Sequence, residues 1–241
     1  MIKDVKAEIE KIRDFLVEYA KMAGADGYVL GISGGLDSSV LFKILESTDL
    51  NIVAIMMPIN SMVDDEKDAK ELISGTDKDI LKIDLSSVYE EMLKVLPPSK
   101  HSLSYANIKP RLRMTTLYQV AQSRNLLVAG ASNKSEYMTG YFTKHGDSGV
   151  DVLPLVDYYK HEIYEMGRFL NLPNNILKKP PSAGLFKGQT DEDEIGLSYD
   201  EIDSGLSDLE NGNPKINNKL LGMVLKSEHK RHVPKKYERE E

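Results

Sequence analysis

One stretch restricts the possible folds more than any other: Gly31-Ile32-Ser33-Gly34-Gly35-Leu36-Asp37-Ser38. It follows an apolar run, Tyr28-Val29-Leu30, that reads as a buried strand, and it precedes Ser39–Leu45, whose apolar spacing suits a helix. A strand, a tight glycine turn and a helix start together make an anion site. The first-turn N–H groups point outward unpaired, and the helix dipole adds partial positive charge there. Gly34 and Gly35 permit positive φ and close backbone approach, while Ser33, Ser38 and Ser39 add hydroxyl donors. Asp37 repels anions, so it makes sense if a divalent cation stands between it and phosphates. The loop is neither Gly-x-x-x-x-Gly-Lys-Ser/Thr, because no lysine follows the glycines, nor Gly-x-Gly-x-x-Gly. A turn using glycine for geometry alone would leave the serines and the aspartate without purpose.

The surrounding chain alternates in type. Ile2, Val5, Ile9, Ile12, Phe15, Leu16 and Tyr19 recur at helical spacing, which predicts a helix over 2–22 within an N-terminal segment 1–24. After the glycine loop come a helix to Thr48, a strand over 51–57, a helix over 64–73, a short strand over 79–83 and a helix over 86–96. A polar connection is expected over 99–110, a helix over 111–124 and a fourth strand over 126–131. Ser132 is the expected cap of a short helix carrying Glu136, and Asp157 that of a helix over 158–170. Long irregular stretches fall at 139–151 and 178–193, with helices over 198–210 and 213–228. Strands and helices alternating with short connections predict an α/β fold: a doubly wound, mainly parallel sheet with flanking helices, Rossmann-like. The length of 241 residues fits a single domain over 1–241, ending in a charged tail over 229–241.

Composition removes several functions. The net charge of −7 argues against a nucleic-acid partner. Without cysteine there is no disulfide, thiolate metal site or thiol nucleophile. No run approaches the ~20 apolar residues of a membrane span, and the first residues mix charges without the apolar core of a signal peptide. A soluble, cytoplasmic protein with no membrane partner is expected.

Further groups suit phosphate and metal chemistry. Gly130-Ala131-Ser132-Asn133-Lys134-Ser135-Glu136 repeats the strand-to-helix transition, and Glu136 can complete a divalent-cation site with Asp37 or serve simply as a helix-start charge. In 140–155, Lys144 can bind phosphate and Asp151 can accept from ribose hydroxyls or an amide-bearing ring; a solvated loop is the plainer reading. Lys160 stands near a helix start, where a cation opposes the dipole, and so points to an anionic partner. Arg111 and Arg113 both reach a ligand if they lie in a first helical turn. Glu228-His229-Lys230-Arg231-His232 adds a basic cluster near the end.

The loop Gly31–Ser38 resembles the Ser-Gly-Gly-x-Asp-Ser loop of the ATP pyrophosphatases. Together with Asn107–Met114, Asn133–Glu136, Gly140–Leu155, Lys160–Tyr164 and Lys179–Asp203, the chain closely resembles ammonia-dependent NAD synthetases. The resemblance implies an adenine nucleotide α-hydrolase-like fold and a ligase. It would convert deamido-NAD, ATP and ammonia into NAD, AMP and pyrophosphate through an adenylated intermediate. It assigns Gly31, Ile32, Ser33, Gly34, Gly35, Leu36, Asp37 and Ser38 to ATP phosphates, with Ala131, Lys160 and Ser182 as further ATP contacts. Asp37, Lys160 and Ser182 become the catalytic candidates, and Asp37 and Glu136 the Mg²⁺ ligands. Arg111, Lys144, Asp151, His229 and Lys230 would bind deamido-NAD, at the subunit interface of a homodimer.

Two departures stand out. Many bacterial members carry an arginine and a glutamine after the second strand, where this chain has Met56-Met57-Pro58-Ile59-Asn60-Ser61-Met62-Val63. Ser182 stands where threonine is common. Competing readings are another amide ligase with the same loop and a non-catalytic ATP-binding sensor. The sensor leaves Lys144, Asp151 and both arginines without a role. A glutaminase module within the chain is excluded by the lack of cysteine.

Overall fold

The computed structural model of the chain describes residues 2–60, 63–182, 190–213, 217–237 and 239. Strand β1 (Gly27–Gly31) lies between β2 (Asn51–Met56) and β4 (Leu126–Val128), and β3 (Asp79–Lys82) flanks β2. All pairings are parallel, with Gly27 opposite both Asn51 and Leu126, and Val53 opposite Asp79. The chain winds outward from β1 through β2 to β3, then crosses back to β4 on the far side of β1. Winding reverses between β1 and β4, so the loops leaving these two strand ends diverge and open a crevice. Buried on both faces, the central strands are continuous apolar runs: Tyr28, Val29, Val53, Ala54 and Ile55 are fully enclosed.

Helices cover both faces. On one side, α1 (Val5–Ala23), α2 (Leu36–Glu46) and α8 (Lys160–Phe169) bring Leu16, Leu41, Leu45, Ile163 and Met166 into one core. Tyr28 joins this layer to the sheet, its hydroxyl donating to the Leu16 carbonyl at 2.7 Å. The opposite side is covered by α4 (Ser86–Val95) and α6 (Ile108–Ser123), through Tyr89, Ile108, Leu117 and Val120. The helices α3 (Val63–Leu72), α5 (Ser102–Ala106) and α9 (Asn174–Lys178) fill the connections. A third apolar cluster joins α10 (Asp191–Ile195), α11 (Tyr199–Glu210) and α12 (Asn218–Arg231) through Ile195, Ile202, Leu206, Leu220 and Val224, with Met138 of α7 (Lys134–Thr139) packed against it. No helix among the described residues is long and apolar enough to cross a membrane.

The doubly wound parallel sheet is therefore as expected, while several boundaries differ. The connection at 99–110 contains α5 and the first turn of α6; Pro110 is the third residue of α6, where a missing N–H costs nothing. Strand β4 ends at Val128, three residues short of the expected 131. Asn133 rather than Ser132 caps α7, accepting from the Glu136 N–H at 3.0 Å. Helix α8 starts at Lys160 because Glu162 accepts the Tyr159 N–H at 3.0 Å, and Asp157 instead faces the Lys134 ammonium at 3.3 Å. The stretch 178–193 ends in the first residues of α10, and its glycines Gly184 and Gly188 lie outside the described residues. The last helix runs past the expected 228 to Arg231, and its expected start at 213 adjoins residues 214–216, also outside them.

Tyr28 generates the first prediction. Tyr28→Phe removes the second donor of the Leu16 carbonyl, which keeps its α-helical partner, and should cost about 0.5–1.5 kcal/mol, read as a lowered urea midpoint with an unchanged m-value.

Candidate active site at the switch point of the sheet

The crevice predicted by the strand order is a cleft of about 750 Å³, floored by the ends of β1 and β4 and walled by α6 and the loops after α7 and α9. Ligand pockets of this kind commonly measure roughly 300–1,000 Å³. At one end lies the glycine loop. Gly34 takes φ +77°, a left-handed conformation that a side chain would strain. Ser33 and Ser38 hydroxyls stand 3.0 Å apart, Gly35 N–H donates to Ser33 Oγ at 3.2 Å, and Ser39 Oγ donates to the Gly35 carbonyl at 2.7 Å. The serines therefore hold the loop's shape. The first-turn N–H groups of α2 have no acceptor within the helix and open towards the cleft.

Three helices deliver charged side chains to one point. Asp37 is the second residue of α2, Glu136 the third of α7 and Lys160 the first of α8. The Lys160 ammonium, only 3% exposed, lies 2.6 Å from Asp37 Oδ2 and 2.9 Å from Glu136 Oε1. The other Asp37 oxygen accepts from Asn133 Nδ2 at 2.7 Å. Asn133 thus caps α7 with one end of its amide and fixes Asp37 with the other. The Tyr199 hydroxyl reaches Glu136 Oε1 at 3.2 Å and Asp191 Oδ2 at 2.9 Å, while its ring lies 4.9 Å from the Lys160 ammonium. The anionic partner anticipated for Lys160 is, in this structure, the carboxylate pair.

Burial works against the charged lysine, but Asp37 and Glu136 outweigh it and raise the Lys160 ammonium well above the ordinary lysine range. The Glu136 carboxyl is pushed up to about 7: burial raises it, Lys160 opposes, and Asp37 adds to the rise. The donor chemistry suits a hard divalent cation, since two carboxylates from separate helices converge on a point already held by a cationic group. Mg²⁺ characteristically takes one or two carboxylates and completes its shell with phosphate oxygens and water. Among the described residues no group of three or more His, Cys, Asp and Glu could hold a metal ion.

Other expected residues separate into two places. Ala131, Ser182 and Lys230 line the cleft with the glycine loop, although Gly34 itself does not. Arg111, Lys144 and His229 gather outside it: the Arg111 guanidinium donates to the Lys144 carbonyl at 3.3 Å, and the Lys144 ammonium to the His229 carbonyl at 2.7 Å. The Lys230 ammonium donates to the Gly140 and Phe142 carbonyls, each at 2.7 Å, fastening the 140–147 segment to α12. Asp151 also lies off the cleft. Its carboxylate accepts from the Tyr118 hydroxyl at 3.0 Å and the Val128 N–H at 2.7 Å, closing the edge of β4. Arg113 lines the cleft, its Nε donating to the Met57 carbonyl at 3.0 Å, so a guanidinium stands against the wall where the family's arginine is missing. Ser61 and Met62 of that wall lie outside the described residues.

Sequence reasoning gave no role to Asn133, Tyr199 or Asp147. A helix-cap signal was available for Asn133. Asp147, which lines the cleft and accepts the Thr143 N–H at 2.8 Å, sat unremarked in a glycine-rich loop. Tyr199 follows a capping serine and carries no local sign that its hydroxyl reaches across to α7.

The carboxylate–lysine group generates a prediction. Folded Glu136 holds a proton that the unfolded chain releases near 4.5, so its contribution to stability declines as pH rises from there towards 7. Lys160→Met leaves both acids uncompensated and should cost about 3–5 kcal/mol near neutrality. The loss should shrink as pH falls towards 5 and a carboxylate is protonated. Thermal melts of both proteins across pH 5–8 measure this; an equal deficit throughout that range would refute the coupling.

The chain has relatives among known proteins. The NAD synthase family model matches residues 8–234. The chain is 42% identical over 230 residues to an NH(3)-dependent NAD(+) synthetase from Finegoldia magna, covering 95% of each protein. It is 44% identical over 237 residues to one from Syntrophomonas wolfei, covering 93% of this chain and 94% of that protein. Among solved structures, an NMN synthetase from Francisella tularensis matches with a TM-score of 0.90 and 36% identity over 98% of this chain and 99% of that one. An NH3-dependent NAD synthetase from Campylobacter jejuni matches with a TM-score of 0.84 and 30% identity over 98% and 100%. A family model matched over residues 8–234, with 42–44% identity to relatives across almost the whole length, makes this chain a member of the NAD synthase family.

Proposed function

We propose that this chain is an ATP-dependent ligase that amidates deamido-NAD with ammonia. The observation that carries the reading is the convergence of Asp37, Glu136 and Lys160 beside the open N-terminus of α2. A nicotinate carboxylate oxygen bonds to the α-phosphorus of ATP as the bond to the β-phosphate bridging oxygen breaks, releasing pyrophosphate. Ammonia then adds to the adenylated carbonyl, AMP leaves, a proton is lost and the carboxamide remains. The glycine loop and α2 hold the departing diphosphate through backbone N–H groups and the helix dipole. Asp37 and Glu136 are the residues to hold Mg²⁺, which when bound neutralises phosphate charge. Lys160 supplies a fixed cation beside it, and Ser182 a hydroxyl on the cleft wall. Ala131 borders the nucleotide. Catalysis of this kind is positioning and electrostatics without a covalent enzyme intermediate, which accords with a chain that has no cysteine.

The dinucleotide would lie along Arg111, Lys144, Asp151, His229 and Lys230, at the interface of a homodimer in the cytoplasm. The clustering of Arg111, Lys144 and His229 beside, rather than in, the cleft supports a second subsite there. A second reading, amidation of the corresponding mononucleotide, is favoured by one observation, the likeness to the Francisella tularensis NMN synthetase.

Incubation with ATP, Mg²⁺, ammonium and either deamido-NAD or nicotinate mononucleotide decides between the two. The expected result is NAD, AMP and pyrophosphate from deamido-NAD, with glutamine unable to replace ammonium. Release of ADP would refute the assigned bond cleavage, and preference for the mononucleotide would select the second reading. Asp37→Asn should reduce turnover by at least about a hundredfold while shifting the melting temperature little; full activity in that variant removes the metal assignment.

A further inference from the structure

Asp203 touches neither the cleft nor either acid, yet it is only 5% exposed and bonded on every side. Its Oδ1 accepts from the Ser135 hydroxyl. Its Oδ2 accepts from the His161 backbone N–H at 3.1 Å and stands 2.8 Å from the His161 ring Nδ1. Ser135 Oγ in turn accepts the Lys160 backbone N–H at 2.9 Å. Ser135 is the residue before Glu136, and His161 is the residue after Lys160. Each oxygen of this one carboxylate therefore grips the immediate neighbour of a charged residue of the cleft, and Ser135 completes the ring to Lys160 itself. Four residues earlier on α11, on the same helix face, Tyr199 contacts the side chains of that same pair. α11 thus braces α7 and α8 twice, once through the Ser135 hydroxyl and the backbone and ring of His161, and once through Glu136 and Lys160 themselves.

We propose that Asp203 is a positioning residue for adenylation, setting the separation of Glu136 and Lys160 from behind the site. The proposal rests on the reading above, in which that pair acts on ATP. A side chain acting only as structural cement would not separate binding from turnover. A brace should, because misplacement of reacting groups by about 1 Å can cost on the order of a hundredfold in rate. Three ligands held by one buried carboxylate also explain why an acid is used: an amide oxygen at this place could serve only part of the set.

The test compares Asp203→Ala, Asp203→Asn and Ser135→Ala with Asp208→Ala, which loses the contact of its carboxylate with Asn213 at the far end of the same helix. With folding verified by circular dichroism, Asp203→Ala should lower kcat by about ten- to a hundredfold and leave KM for deamido-NAD within about twofold. Asp203→Asn should regain part of kcat, Ser135→Ala should lower it, and Asp208→Ala should melt earlier with kcat unchanged. If Asp203→Ala is not recovered folded, the Asn and Ser135 variants decide by the same criterion. Undiminished kcat in the folded Asp203 or Ser135 variants beside an active wild type overturns the brace alone, as does an equal loss in Asp208→Ala. A wild type that releases no AMP overturns the site reading and the brace together.

Discussion

The Lys160 ammonium between Asp37 and Glu136 is the contact on which the rest of the architecture converges. Two acids brought together in a half-buried cleft repel one another, and each loses hydration. Such a group persists only where geometry and additional hydrogen bonds offset the desolvation. Here the offset comes from several elements at once: Asn133 on Asp37, Tyr199 on Glu136, and a lysine whose backbone N–H is itself held by Ser135. The polar cluster fixes three helix starts against one another at the place where the sheet changes winding direction.

That place follows from topology. With β1 central and the chain returning to β4 on its other side, α2 and α7 leave neighbouring strand ends and diverge. Their N-termini, with that of α8, open onto one cleft. Charge arrives from the backbone as well as from side chains, so an anionic substrate meets preset dipoles rather than flexible groups. The outer helices α10 to α12 form their own apolar cluster and support this arrangement from behind. Ammonia-dependent amidation requires an activated carboxyl kept from water, and a cleft walled by fastened loops serves that need.

Much of this was legible in the residues. The glycine loop, the alternating elements and the acid at Asp37 announced a nucleotide site on a doubly wound sheet, because local geometry there is dictated by short stretches. The acid pair could be anticipated from two strand-to-helix transitions. What could not be read was which groups fold onto protein instead of solvent. Lys160 was expected to face an anion, but nothing in its neighbourhood showed that the anions were Asp37 and Glu136, distant in sequence. Asp151 looked like a free acid in a loop, whereas its partners, Tyr118 and the Val128 N–H, belong to other elements. Asp203 was invisible for the same reason: its significance lies entirely in which residues its two oxygens touch.

The fastening of the 140–147 segment has a consequence for how this chain tolerates change. Lys230 grips the carbonyls of Gly140 and Phe142 and lies 5.1 Å from the centre of the Phe142 ring, and Lys144 grips the carbonyl of His229; these hydrogen bonds all go to main chain. Such a clasp makes no demand on exposed side chains, although Gly140 and Gly146 leave no room for a Cβ beside Ser227, Thr143 and Pro110. Mutational drift can therefore recolour the exposed rim of the segment while its trace in space is inherited intact, so long as two lysines remain to hold it.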